Sequence, residues 1–401
     1  MRRQSFHLVH LGGQPLYILA NTALGISKQH GTVEGFYRIT DRPPLGKKLS
    51  FAAVPFLFAA ASILAGLVWF SGECTVSFLY LWSVMLTVSL PMSLPLTDAL
   101  PMQTLQQKLA KSGCAVAGFQ GARAVSRTKH LVLTDDDLFP PGTVSLSGYK
   151  SYGPEHNRVL SYAAAMAKTA GSHIFPLLEQ QLTAEGGVLY AVENFQYLEE
   201  GGVCCEIRGR QAAMGSAYFM RKQHVSLPQE LKPKTDVFLA LDGELAAIFS
   251  IKYKASANVG WALRALKRNR IRPVLAVRSS NITPGLLKKK FGVDVKPVYP
   301  DISTRLALSS VVQTYGEKPH AVLYREGLMP LTETYLGARR LVRTVRRLAA
   351  LSYFAALAGL LLGYYLTSKG NFAVLTPLNL LIFSALWLLP TLLLSGLTRH
   401  Y

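Results

Sequence analysis

The sequence predicts a multi-domain membrane protein with four transmembrane α-helices, an α/β domain built on a doubly wound parallel sheet, and a smaller α+β domain inserted into it. Three observations support this prediction. Half of the 401 residues are apolar, and the mean hydropathy is +0.22. The longest apolar stretches come in two pairs, one before and one after a long, more polar region. That region alternates strand and helix signals, an order that favours a parallel sheet covered by helices.

The membrane helices are predicted from length and composition. A helix needs roughly 20 apolar residues to cross a bilayer, and four stretches meet this requirement: Phe51–Phe70, Phe78–Leu96, Leu348–Leu366 and Val374–Leu397. None is a signal peptide, because a polar segment precedes the first stretch and no cleavage pattern of small residues follows it.

The basic residues predict the topology and exclude one class of partner. The net charge is +20, and Lys and Arg are dense at Lys108–Lys129 and Arg339–Arg347 but absent from the turn Ser71–Ser77. Because positive charge marks the cytoplasmic side, we expect a multi-pass protein of the inner cell membrane with both termini and the central region in the cytoplasm. The lipid bilayer is then its first partner. We do not expect nucleic acid as a partner, since the charge flanks membrane spans without interleaved aromatic residues.

The central region contains two kinds of folding pattern. Strand–helix alternation predicts the parallel sheet, with strands at His130–Thr134, Asp236–Leu241, Leu245–Ile251 and Arg272–Val277 and helices at Ala257–Asn269 and Thr283–Gly292. Residues 153–231 differ, because a helix over Asn157–Gly171 is followed by strand-like segments only. This stretch is predicted to be the inserted domain.

Three consecutive aspartates, Asp135, Asp136 and Asp137, follow directly on the strand His130–Thr134. The carboxyl ends of buried parallel strands collect ligands and catalytic groups at one edge of the sheet. The cluster therefore predicts either a phosphoryl-transfer site or an acidic strand end that is solvated or caps the next turn.

Several stretches, taken in order, resemble the heavy-metal-transporting branch of the P-type ATPases. LTDDDLFPPGTV stands where that family has its DKTGTLT phosphorylation motif, and KTAGSHIFPLLEQQL resembles the S-E-H-P-L segment near the adenine pocket. LPMSLPLTDALPMQ resembles the proline-bearing fourth membrane helix, and RIRPVLAVRSSN resembles the segment with the TGD motif. The resemblance covers nearly all of the chain, which begins late in the family layout.

The resemblance implies a domain organisation. A haloacid-dehalogenase-like phosphorylation domain is expected at residues 99–152 and 232–345, with a nucleotide-binding-like insert at 153–231. The membrane helices occupy 49–98 and 346–398. Residues 1–48 resemble at most the tail of the family's actuator domain, so we expect a cytoplasmic remnant of that domain there.

The resemblance also implies roles for individual residues. Asp135 aligns with the phosphorylated nucleophile, and Asp135 with Asp137 forms the D-x-D pair of haloacid-dehalogenase-like phosphatases, whose second Asp is general acid and base. Both are also expected to ligate Mg²⁺. An Asp at 137 implies rapid hydrolysis of an aspartyl phosphate. The expected contacts to phosphate or ATP are Ser279 and Arg278 at the TGD position, and His173, Gly201, Gly202 and Gly215 in the nucleotide segments.

Other parts of the family's machinery are changed or missing. Phe139 stands at the later Thr of the phosphorylation motif, and we find no GDGxxND, CPC or TGE motif. Asp136 or Asp242 could replace the missing Mg²⁺ ligand. Asp98 is the one carboxylate near the proline-bearing helix. Its carboxylate could be solvated at the membrane boundary or could bind an ion.

We therefore expect a degenerate member of the family that acts in binding or regulation, or completes a complex with a separate actuator-domain subunit. ATP and Mg²⁺ are expected cofactors only if the site is active. Two alternatives stay open: an active pump that transports a metal cation through phosphorylation of Asp135, and a membrane-anchored Mg²⁺-dependent phosphatase that uses Asp135 and Asp137. The chain is expected to be a fragment, a truncated reading frame or half of a split protein.

Overall fold

A computed structural model describes residues 2–11, 14–23, 31–71, 76–89, 93, 95–153, 158–228, 235–312, 319–323, 327–396 and 398, with side chains described from residue 35. The helices are α1 (Gly31–Thr40), α2 (Leu45–Phe70), α3 (Phe78–Ser89), α4 (Leu96–Lys111), α5 (Gly118–Arg127), α6 (Asp135–Leu138), α7 (Val159–Thr169), α8 (Phe175–Ala184), α9 (Ala217–Lys222), α10 (Ala257–Arg268), α11 (Pro284–Phe291), α12 (Ile302–Val312), α13 (Leu328–Ser368), α14 (Pro377–Leu386) and α15 (Leu388–Gly396). The strands are β1 (Arg2–Leu11), β2 (Gln14–Ala23), β3 (Cys114–Val116), β4 (His130–Leu133), β5 (Val144–Ser151), β6 (Glu193–Leu198), β7 (Gly202–Ile207), β8 (Arg210–Gly215), β9 (Val237–Leu241), β10 (Glu244–Tyr253), β11 (Val274–Leu275) and β12 (Ala321–Leu323).

Three helices of the described chain are long and apolar enough to cross a membrane: Gly35–Phe70, Leu328–Ser368 and Pro377–Gly396. They contain most or all of the first, third and fourth predicted spans. The second predicted span, Phe78–Leu96, contains α3, which has 12 residues and measures about 18 Å at 1.5 Å per residue. This is shorter than the hydrocarbon core of roughly 30 Å, and residues 90–92 and 94 of that span lie outside the described chain. A fourth span therefore stays a prediction.

The longest helix, α13, joins the folded domains to the membrane. Its 41 residues run for about 62 Å without a break. At its start, the Tyr335 hydroxyl donates a hydrogen bond of 2.7 Å to the carbonyl of Thr128. Near its end, Gly363 leaves room for α3, since a Cβ there would lie 3.0 Å from Val88 and 3.3 Å from Met85.

One sheet has six strands in the order β11-β4-β2-β1-β12-β3. Only β11, β4 and β2 are parallel neighbours, and the remaining pairs are antiparallel. The prediction of a parallel sheet is therefore correct for β11, β4 and β2 and wrong for the pairs that β1, β12 and β3 form. The cause is a hairpin of residues 2–23 that enters the sheet beside β4, with Leu19 opposite Leu131. That residues 1–48 also descend from an actuator domain stays a prediction.

The other sheet is antiparallel throughout, in the order β5-β10-β9-β8-β7-β6. It is wider than the predicted insert at 153–231, because β5, β9 and β10 lie outside those bounds. The strands predicted at Asp236–Leu241 and Leu245–Ile251 are present, and both Asp242 and Gly243 have positive φ at the turn between them, as a tight hairpin requires. These strands were expected in the parallel sheet. They instead pair with β8 and β5.

Candidate functional site

The acidic cluster lies at the carboxyl end of β4, as the sequence predicts. Leu131, Val132 and Leu133 are completely buried, so β4 is fixed in the core by its apolar side chains. The chain then turns at Thr134 into the short helix α6, which begins with Asp135. Asp135 is 7% exposed. An almost inaccessible carboxylate thus stands at the edge of the sheet.

Both carboxylate oxygens of Asp135 accept backbone hydrogen bonds from the neighbouring parallel strand. The N–H of Arg278 donates to Oδ2 at 2.8 Å, and the N–H of Ser279 donates to Oδ1 at 3.0 Å. Both donors follow β11, which pairs with β4. Arg278 and Ser279 thus reach Asp135 through their main-chain N–H groups. Their expected contact with phosphate stays a prediction.

His173 closes the site from the side of the antiparallel sheet. Its Nδ1 lies 3.5 Å from Asp135 Oδ1, and its side chain is 4% exposed. Neither ring nitrogen has a hydrogen-bond partner, and the ring packs on Tyr253 with 5.7 Å between centroids. His173 thus contacts the acidic residue, and its expected role in nucleotide binding stays a prediction.

The turn that carries His173 depends on a glycine. Gly171 follows α7 with φ of +56°, and a Cβ at this position would overlap the Arg278 guanidinium. Left-handed φ values favour glycine. The left-handed turn therefore favours glycine at 171, and a Cβ there would displace the flexible end of Arg278.

The surroundings of Asp135 stabilise its ionised form. Burial alone raises the pKa of this carboxyl, but the His173 imidazole and the N–H groups of Arg278 and Ser279 outweigh burial and hold the pKa below its ordinary value. Hydrogen bonds to the charged form act in this direction. Asp135 is thus a buried carboxylate whose negative charge is already compensated within the protein.

Asp137 turns away from Asp135 and caps its own helix. Its Oδ2 accepts hydrogen bonds from the N–H of Thr134 at 3.1 Å and from the Thr134 hydroxyl at 2.9 Å. The two residues form a capping box at the start of α6, in which each satisfies an otherwise unpaired donor. This local role accounts for Asp137 without a catalytic one.

Any Mg²⁺ ion at this site would take part of its ligands from water or phosphate, because few protein ligands are grouped in the described chain. Mg²⁺ takes oxygen ligands in nearly octahedral geometry. Within the described residues, no group of three His, Cys, Asp or Glu side chains lies close enough to hold a metal ion. Asp136 is exposed, and Asp242 is bound at the β9–β10 turn by Arg210 at 3.3 Å. Replacement of the missing ligand by Asp136 or Asp242 stays a prediction.

Arg278 and Arg305 lie beside the segment that follows β11, and sequence reasoning missed Arg305. The Nε of Arg278 donates to the Ser309 hydroxyl at 2.8 Å. Arg305 is 3% exposed, and its Nη1 donates to the Tyr299 hydroxyl at 2.7 Å, while its Nε has no partner. No local pattern in the sequence distinguishes Arg305 from a solvated arginine on a helix.

An open cleft of about 940 Å³ adjoins Arg305 between the two sheets. One wall comes from the inserted domain, with Glu200, Gly201 and Tyr218, and the other carries Lys289 and Lys290. Small-molecule sites have volumes of about 300–1,000 Å³. The cleft therefore has the size to hold a nucleotide, and its charged lining is mixed, since Glu199, Glu200 and Asp301 accompany Lys289, Lys290 and Arg305.

Packing explains two of the three predicted nucleotide-binding glycines. A Cβ at Gly202 or Gly215 would overlap the ring of Phe219, so both glycines let Phe219 cover the sheet. Gly201 has φ of +88° and lies beside Ser280. A role for these residues in nucleotide binding stays a prediction.

Asp98 also has a structural role. Its Oδ2 accepts a hydrogen bond of 2.6 Å from the N–H of Gly46 in the first turn of α2. Helix N-termini have unpaired N–H groups, and here a carboxylate from α4 satisfies one of them. Asp98 thus fastens the beginning of the first span to α4.

Comparison with known proteins supports the resemblance inferred from the sequence. No family model matches the chain. Among curated proteins, a silver-exporting P-type ATPase of Salmonella typhimurium is 21% identical over 218 residues, which make up 52% of this chain and 26% of that protein. The chain thus spans about a quarter of the length of this relative. It resembles a heavy-metal P-type ATPase, as predicted.

Solved structures of the same kind are similar at low identity. A zinc-transporting PIB-type ATPase in the E2.Pi state shares 12% identity and a TM-score of 0.48, with 92% of this chain and 67% of that chain covered. The catalytic CPx-ATPase domain CopB-B shares 16% identity and a TM-score of 0.28, with 48% and 69% covered.

Proposed function

We propose that this chain, which resembles the heavy-metal P-type ATPases, is a degenerate relative of them that does not transfer phosphate and acts in binding or regulation. Its place would be the inner membrane, with four spans and both termini in the cytoplasm. Its partner would be a separate subunit with an actuator domain. The observation that carries the proposal is the enclosure of Asp135 by His173 and by the N–H groups of Arg278 and Ser279.

The geometry around Asp135 opposes nucleophilic attack. An attacking oxygen must come within about 3–3.5 Å of the phosphorus atom. His173 occupies the approach to Oδ1, and both oxygens already accept hydrogen bonds. A phosphate group could reach Asp135 only after the inserted domain had moved away.

The two enzymatic alternatives lack parts that they require. Both need Mg²⁺, and the described side chains do not group three ligands for it, so water or phosphate would have to supply the rest. The phosphatase also needs a free general acid, whereas Asp137 is engaged by Thr134. A function without phosphate transfer is compatible with the enclosed Asp135 and the capping Asp137 as they stand, with no movement of the domains.

The cleft beside Arg305 favours a second, compatible activity, which is nucleotide binding without transfer. Its basic wall suits a polyphosphate, and its volume suits the whole ligand. Calorimetry with ATP and no Mg²⁺ tests this activity, with Arg305→Gln as the variant that should weaken binding and exposed Arg221→Gln as the control.

Labelling with γ-phosphate-labelled ATP tests the main proposal. Purified full-length protein is incubated with labelled ATP and Mg²⁺, with and without Zn²⁺, Cu⁺ or Ag⁺, and acid-stable label is measured. We expect no acid-stable label that depends on Asp135. Hydroxylamine-labile label that disappears in Asp135→Asn but persists in Asp236→Asn would support the pump instead.

A parallel assay separates the phosphatase. Mg²⁺-dependent hydrolysis of a small phosphate ester is measured for wild type, Asp135→Asn and Asp137→Asn. We expect no difference among the three. Hydrolysis by the wild type that both variants lose would contradict the proposal.

A further inference from the structure

A basic patch lies where the α/β domain meets the membrane helix α13. It consists of the end of α10 and the loop after it, together with one stretch of α13, and its members are Lys267, Arg268, Arg270, Arg272, Arg339, Arg340, Arg343, Arg346 and Arg347. The two parts touch, because Asn269 and Ile271 line the same crevice as Arg339, Arg340 and Arg343. The patch is therefore one surface.

The patch has no acidic residues within its own segments. Neither residues 254–272 nor residues 334–368 contain Asp or Glu. Arg339 and Arg343, and likewise Arg343 and Arg347, stand four residues apart on α13, a spacing at which like charges destabilise a helix. Such a concentration of charge favours an anionic partner outside the chain.

The position of the patch along α13 matches the depth of lipid headgroups. Arg347 directly precedes Leu348, the first residue of the predicted third span. From Arg343 to Arg347 the helix rises by about 6 Å, which fits the headgroup layer of roughly 5–8 Å on each side of a bilayer. Arg343, Arg346 and Arg347 are exposed, so their side chains are available at this level.

The crevice at the centre of the patch has room for one small polar group. Its volume is about 30 Å³, comparable with that of a water molecule in the liquid. Arg339 is held there by Tyr335, whose hydroxyl accepts from Nη1 at 3.3 Å and whose ring lies 5.6 Å from the guanidinium. A positioned guanidinium is suited to a phosphate oxygen.

We propose that the basic patch binds the phosphate groups of anionic phospholipids in the cytoplasmic leaflet and thereby holds the α/β domain against the membrane. This inference goes beyond the proposed function and does not depend on whether Asp135 reacts. It depends on α13 crossing the bilayer. Phosphate contacts from these basic side chains would add to the packing that already fixes the domain on α13.

Native mass spectrometry of the full-length protein in detergent tests the proposal. The probes are dioctanoyl phosphatidylglycerol and dioctanoyl phosphatidylcholine. Each juxtamembrane basic residue contributes about fivefold to binding of anionic lipid, so Arg270→Gln/Arg343→Gln/Arg346→Gln should weaken phosphatidylglycerol binding at least about tenfold. Arg221→Gln/Lys252→Gln, which removes exposed charge from the inserted domain, should bind like the wild type.

Two further measurements keep the test decisive if the triple variant folds poorly. In the wild type alone, phosphatidylglycerol binding should fall steeply between low and high salt, and the variant with Lys at the same three positions should keep most of the binding. Equal binding of phosphatidylcholine overturns the proposal, as does equal binding by the triple variant. The proposal is also overturned if inorganic phosphate binds as tightly as phosphatidylglycerol. Preferential binding of a short RNA duplex over phosphatidylglycerol overturns it as well.

Discussion

The Nδ1 atom of His173 lies 3.5 Å from the Oδ1 atom of Asp135, although the two residues are positioned by different sheets of the protein. Asp135 follows β4 of the mixed sheet, and His173 follows α7, which packs on the antiparallel sheet. The contact therefore closes one domain onto the other at the residue that the family resemblance assigns to phosphorylation. The proposed function depends on this closure.

The acid stability of the protein should depend on Asp135. Its pKa is held below the ordinary value of about 3.9, so its ionisation stabilises the folded state above that pH. This contribution disappears as the pH falls through the lower pKa of the folded state. Melting temperature measured against pH should fall less steeply below about pH 4 in Asp135→Asn than in the wild type. If the melting temperatures of the two proteins fall equally in this acidic range, the Asp135 carboxylate is not stabilised as described.

Replacement of Asp137 should affect stability. Asp137→Ala removes the acceptor of the capping box at Thr134, and loss of a helix cap costs about 1 kcal/mol of unfolding free energy. The exposed Glu244→Ala is the control and should change stability by less than about 0.5 kcal/mol. Thermal unfolding of both variants measures the difference. If Asp137→Ala melts like the wild type, the capping role is wrong.

Gly202→Ala should destabilise the inserted domain by about 1–3 kcal/mol, the usual cost of overpacking a core. The added Cβ overlaps the buried ring of Phe219. Phe219→Leu in the same chain should recover part of the loss, because the smaller side chain leaves room. Gly285→Ala has only an ordinary contact at 3.8 Å and serves as the control. Weaker ATP binding at unchanged stability would instead support a nucleotide role for Gly202.

Two glycines of α2 form a matched pair for testing the contact with α4. A Cβ at Gly46 would overlap the Asp98 carboxylate, whereas a Cβ at Gly66 would meet nothing within 4 Å. Gly46→Ala should therefore lower the unfolding free energy by an amount typical of overpacking, about 1–3 kcal/mol, and so lower the melting temperature of the protein in detergent. Gly66→Ala should leave it unchanged or raise it slightly. Equal effects of the two variants would contradict the fastening of α2 by Asp98.

The sequence predicted correctly those elements that depend only on neighbouring residues. The buried run of β4 and the aspartates after it were recognisable, and so was the Asp242–Gly243 hairpin, because both depend on neighbouring residues. The hairpin of residues 2–23 was missed, although a Gly-Gly pair separates its two apolar runs. Its pairing with β4 is a contact between distant parts of the chain.

The site shows the same limit at the level of side chains. The residue types around Asp135 were predicted, but their partners depend on tertiary geometry. His173 was placed with adenine because its segment resembles an adenine-binding one, and only the closed arrangement of the two sheets brings it to Asp135. Asp137 looked catalytic for the same reason, since a D-x-D spacing does not distinguish a general acid from a capping residue.

Chemical modification of carboxylates tests the enclosure of Asp135 most directly. The full-length protein is treated with a water-soluble carbodiimide and glycine ethyl ester, and modification at each carboxylate is followed by peptide mass spectrometry. Asp135 should react far more slowly than the exposed Glu244, and His173→Ala should accelerate Asp135 alone. Modification of Asp135 at the rate of Glu244 in the wild type would contradict the enclosed site, and with it the proposed function.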